Sequence, residues 1–104
     1  MISQISHRKQ TMNSYVYIMT NTHNSVLYVG ITSDLKSRVV EHKWGVNKNS
    51  FTDIYKCTKL VYFEEYRDIK TAIAREKKLK RWKREWKVQL IEEKNPMWED
   101  LFKT

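Results

Sequence analysis

Two short runs of β-branched and aromatic residues, YVYIM at 15–19 and VLYVGI at 26–31, flank the turn-forming cluster Asn21-Thr22-His23-Asn24-Ser25. Such runs favour extended backbone, and so short a connection joins them antiparallel. The chain is thereby committed to a hairpin near its start. Downstream the apolar period lengthens. Ser33 or Asp34 can cap a helix over 35–44, which Gly45 ends. A polar loop is expected over 46–56 and a third strand over 60–66. A helical pattern then runs from Ile69 towards Lys94, capped by Asp68, interrupted near 82–84 and stopped by Asn95-Pro96. Trp98, Leu101 and Phe102 are expected to fold back on the core, and the polar residues 1–13 to form a disordered arm. With 104 residues there is material for one core. The expected class is α/β (α+β), order β-β-α-β-α-α, as one domain over 14–104.

Composition removes several functions. The two glycines, Gly30 and Gly45, cannot build a phosphate-cradling glycine loop, and one cysteine, Cys57, provides neither a disulfide nor a Cys-rich zinc site. No apolar run approaches the ~20 residues that cross a bilayer, and the first residues lack a signal-peptide core. A cytoplasmic protein with no membrane partner is the expectation. The net charge is +8, and residues 75–87 alone hold eight bases and two acids. Arg75, Lys77, Lys78, Lys80, Arg81, Lys83, Arg84 and Lys87 are thus candidate nucleic-acid contacts. A solvated helix face or a membrane-surface helix would show the same run.

Three groups of residues carry potential chemistry. The apolar stripe Ile69, Ala72, Ile73, Leu79, Trp82, Trp86, Leu90 includes Glu76. An inward carboxylate is costly unless a cation meets it, so Glu76 is either half of a structural ion pair with a core arginine or a ligand for a hard cation such as Mg²⁺. Arg38 and His42, four apart, share a helix face. They suit phosphate clamping and proton transfer, or else Arg38 pairs with Glu41 while His42 packs. Tyr15 and Tyr17 share a strand face, and with Tyr28 they serve as packing or as phenols that orient a water.

Tyr15-Val16-Tyr17, with Tyr28-Val29-Gly30 beginning eleven residues after Tyr17, resembles the paired signature of the GIY-YIG nuclease superfamily. Arg38-x-x-x-His42, Glu76 within Ala-Arg-Glu-Lys, and Asn95 follow in the order of that superfamily. The likeness spans about 14–98 and is greatest to its small, bacterial-type single-domain members. It implies a three-stranded antiparallel sheet flanked by helices. It also implies metal-dependent hydrolysis of phosphodiesters in DNA, with RNA not excluded, in repair or recombination. By position, Tyr17 and Tyr28 would hold and activate the water and Arg38 would stabilise charge on the phosphate. His42 would assist at the phosphate or leaving group, and Glu76, met by Arg38, would bind one Mg²⁺ (or Mn²⁺). Gly30 and Asn95 would support the site. Tyr15, Val16 and Val29 replace Gly, Ile and Ile of the signature, and Ile31-Thr32 follow where some repair-type members carry a lysine. The competing expectation is a non-catalytic nucleic-acid-binding module built on 75–87, with Trp82 and Trp86 for stacking. Both tryptophans, however, fall on the apolar stripe.

Overall fold

The computed structural model describes residues 13–102. β1 (Ser14–Thr20) is the centre of a sheet of order β2-β1-β3, with β2 (Leu27–Thr32) and β3 (Lys59–Tyr66) both antiparallel to it. Between β2 and β3 lie α1 (Leu35–Trp44) and α2 (Phe51–Ile54), and after β3 come α3 (Ile69–Arg81) and α4 (Arg84–Lys94). The three-stranded antiparallel sheet with flanking helices is therefore present, with one helix more than expected.

Because side chains alternate across a strand, β1 supplies two cores. Val16 and Ile18 join Val29, Ala72, Leu79 and Ile91 on one face. Tyr17 and Met19 join Val39, Cys57 and Leu60 on the other. A bulge adjusts β3. Ile18 pairs with Tyr62 and Met19 with Leu60, so the intervening Val61 is extra and lies in the same core as Tyr62.

Local chemistry explains the helix ends. The Asp34 carboxylate accepts from the Ser37 N–H, and Gly45 closes α1 at φ 63°. α2 corrects the expected polar loop over 46–56: the Ser50 hydroxyl accepts from the Asp53 N–H at 3.3 Å while Thr52 turns inward. The long helical pattern breaks at Trp82, whose backbone is extended (ψ 148°) and whose N–H still reaches the Leu79 carbonyl. The break redirects the chain beyond Trp82, and within α3 the buried face is narrower than the expected apolar stripe. Ala72, Glu76 and Leu79 are buried, but Ile69, Ile73 and Trp86 are exposed.

The tail folds back as expected, except that the Leu101 side chain stays exposed. Asn95 Nδ2 donates to the Val61 and Glu99 carbonyls at 3.0 and 2.9 Å, and the Leu101 N–H donates to the Leu60 carbonyl at 2.7 Å. Asp100 accepts from the Leu60 N–H and pairs with Lys43, while Phe102 covers the second core. Of the arm expected over 1–13, residues 1–12 lie outside the described residues. The side-chain amide of Asn13 hydrogen-bonds Glu65. Among the described residues no helix is long and apolar enough to cross a membrane.

Candidate active site

Register creates the site. Tyr17 sits opposite Gly30, and Tyr28 lies two residues before Gly30 on the same face of β2. With no side chain at 30, the Tyr17 ring lies directly over β2; a Cβ there would stand 2.4 Å from Tyr17 Cζ and Oη. The Tyr17 hydroxyl, fully buried, lies 2.9 Å from His42 Nε2, which α1 brings in from above this face. His42 Nδ1 in turn lies 2.8 Å from Thr52 Oγ1 of α2. The half-buried Tyr28 ring stands 6.2 Å from that of Tyr17 and 5.5 Å from His42.

Burial sets the protonation states. It pushes the Tyr17 phenol well above its ordinary value, Tyr28 adds to the rise, and the nearby Arg38 guanidinium opposes it. Burial, then Arg38, hold His42 below its ordinary value, with Glu41 opposing. Both groups are neutral at pH 7. Each tautomer of His42 satisfies the chain, and the proton on Nδ1 decides whether Nε2 accepts from Tyr17 or donates to it. Thr52 is thus coupled to Tyr17 through the ring. A pH effect follows from this burial. An unfolded histidine binds a proton below about pH 6.5, the folded His42 only at lower pH, so acidification favours the unfolded chain. The melting temperature should fall as pH drops from about 7 to about 5, and His42→Gln should flatten that limb. An unchanged limb would place the titration elsewhere.

Glu76 is on the inward face of α3 and only 9% exposed. Its cation is Lys80, one turn on, with Nζ 2.5 Å from Oε2. The expected meeting of Glu76 with Arg38 is not made, because the Arg38 guanidinium takes Glu41 at 3.2 Å on its own helix. α3, which carries Glu76, packs against β2, the strand that carries Tyr28. Among the described residues no cluster of three or more His, Cys, Asp or Glu could cage a metal. One nearly buried carboxylate does suit a hydrated hard dication, which takes one or two carboxylates and completes its shell with water and phosphate oxygens.

The basic run is redistributed. Arg75, expected at nucleic acid, clamps Glu64 with Nε and Nη2, each 2.9 Å from a carboxylate oxygen, and lies over the Trp82 ring at 5.2 Å. Glu64 also accepts from the Tyr62 and Tyr66 hydroxyls. Arg84 donates to the Asn24 and Ser25 carbonyls of the β1–β2 turn. Lys77, Lys78, Arg81 and Lys83 remain exposed, and burial with the nearby Arg84 lowers the pKa of half-buried Lys87. Trp86, expected in the core, is 50% exposed beneath Lys83. Asn95 ties α4 to β3 and to the tail.

The residue that sequence reasoning missed is Thr52. Its signal is Ser50-x-x-Asp53, a capping pattern that announces a helix start inside the presumed loop.

A profile described as the GIY-YIG catalytic domain matches residues 13–89. A UPF0213 protein of Staphylococcus epidermidis is 34% identical over 79 residues, covering 76% of this chain and 94% of the relative. A UPF0213 protein of Haloquadratum walsbyi is 39% identical over 79 residues, covering 76% and 86%. The solution NMR structure of a UPF0213 protein from Bacillus halodurans superposes with a TM-score of 0.55 at 29% identity, over 89% of this chain and all of that one.

Proposed function

The chain belongs to the GIY-YIG family, a nuclease family, and on that footing we propose that it is a divalent-metal-dependent DNA endonuclease. The observation that carries this reading is the Thr52–His42–Tyr17 chain, with Tyr28 and Arg38 beside it. Buried coupled phenol and imidazole groups are costly to assemble for packing alone.

Tyr28, half-buried, presents its hydroxyl to the attacking water, while the enclosed Tyr17 acts through His42. A neutral His42 can take up the proton that this network releases. Arg38 stabilises the charge that grows on the phosphate. Its pair with Glu41 is half exposed, and such pairs are worth about 0–1 kcal/mol, so the guanidinium turns to substrate at little cost. Glu76 is the residue that would hold Mg²⁺ or Mn²⁺; such an ion polarises the phosphoryl oxygen and stabilises the departing 3′-oxygen. Asn95 keeps α4 against β3, and Gly30 leaves room for Tyr17.

DNA lies along the basic face of α3 and the start of α4. If Lys77, Lys78, Arg81, Lys83 and Lys87 neutralise about four to five phosphates, log K falls against log salt with a slope of about −4 on duplex DNA. A slope near zero would remove these residues from the interface.

The deciding experiment incubates the purified protein with linear, branched and single-stranded DNA, and with RNA, in Mg²⁺, in Mn²⁺ and in chelator. Metal-dependent cleavage of DNA is expected. Exposure of Trp86 beneath Lys83 favours the second reading, a binding module without chemistry. Binding with no cleavage of any substrate would select it.

A further inference from the structure

α2 does more than supply Thr52. Its two aromatic residues, Phe51 and Tyr55 at the cap, are four residues apart and 45% and 50% exposed. Their rings stand 4.7 Å apart, and Phe51 stands 5.8 Å from Tyr28, which itself meets His42. A continuous row of rings therefore runs from the active-site histidine out to solvent. Neither outer ring packs in either core. Ile54 beside them is exposed as well, so the row is a patch and not a scatter of single apolar residues. Lysines lie close by in the fold. A neighbouring cavity of about 150 Å³, lined by His42 and by Thr52 of α2, is also lined by Asp53 and by Lys48 and Lys56, while Lys43 at its edge is held by Asp100.

An exposed aromatic face with lysines in the adjoining cavity suits a base with its phosphate attached. A base within a duplex already has both faces covered, so only an unpaired or extruded base can use such a platform. We propose that Phe51 and Tyr55 form a stacking subsite for an unpaired nucleobase beside the reacting phosphate, so that the preferred substrate is DNA with single-stranded character at the cut. The placement beside a reacting phosphate rests on the nuclease reading; the stacking itself does not.

The test measures binding of a short mixed-sequence DNA oligonucleotide, single-stranded and as duplex, in chelator so that nothing is cut. Wild type is compared with Phe51→Ala, Tyr55→Ala and Tyr55→Trp. Each alanine should weaken single-strand binding about five- to a hundredfold and duplex binding less than about twofold, while Tyr55→Trp retains it. Tyr55 is at the outer end of the row, so its variants remain decisive even where Phe51→Ala loosens α2. Equal losses on both forms, or no loss on either, would overturn the subsite and leave the patch to a protein partner. Failure here with metal-dependent cleavage intact leaves the nuclease reading standing. Ring-dependent single-strand binding without cleavage does the reverse.

Discussion

Glu76→Ala should abolish cleavage, by about a thousandfold or more, while DNA binding and thermal stability stay at wild-type level. The two halves of this result rest on different observations. Activity is lost because Glu76 is the one acid of α3 and is buried, and among the described residues no cluster of three or more His, Cys, Asp or Glu offers another cage for the ion. Stability is retained because Lys80, its cation, has a side chain 53% exposed, and ion pairs to such groups contribute about 0–1 kcal/mol. Alanine is also the better helix former. Binding survives because the change releases Lys80 and makes the basic face more positive. A structural acid would show the opposite pattern: a lower melting temperature with residual activity in proportion to folded protein. Unchanged cleavage would remove Glu76 from the site. Arg38→Ala should lower turnover about a hundredfold with similarly small effect on the fold.

Gly30→Ala should both destabilise the protein and inactivate it. No unusual backbone angle is involved. A Cβ at 30 would stand 2.4 Å from Tyr17 Cζ and Oη and 2.9 Å from Cε2. An exposed ring would swing aside, but Tyr17 is fully buried and its hydroxyl is engaged with His42. Overpacking of this kind costs about 1–3 kcal/mol, or roughly 5–20 °C in melting temperature for a domain of this size. In a Tyr17→Leu background the same substitution should cost much less, because the ring it strikes is gone. A double-mutant cycle over 17 and 30 measures that coupling directly. Additive effects would show that the Tyr17 ring is not what requires glycine at 30.

The parts of this molecule legible in its sequence are those that local chemistry decides. The hairpin and α1 follow from strand composition, the Asp34 cap and the Gly45 stop. α2 escaped because four residues have too little periodicity to register, and its formation depends on burying Thr52 against His42. The role of Arg75 depends on Glu64, eleven residues earlier on another element, where no helix spacing applies. Trp86 reads as core only if the helix runs straight through 82; the extended turn there rotates α4 and carries its ring outward. Glu76 was legible as an inward acid, and its partner Lys80, four residues on, is local helix chemistry; a meeting with Arg38 on another helix would have required tertiary packing that no spacing encodes.

The sheet order carries a consequence for how the molecule is made. β1 finds β2 across a short turn, but it finds β3 only after the whole segment 21–58 closes into a loop. Contacts between residues so far apart in sequence are entropically late, whereas helices and hairpins form early. That loop contains Tyr28, Arg38, His42 and Thr52. The basic segment 75–87 lies outside that loop, so on the proposed function a half-folded chain is expected to hold nucleic acid through this segment before the candidate site is assembled.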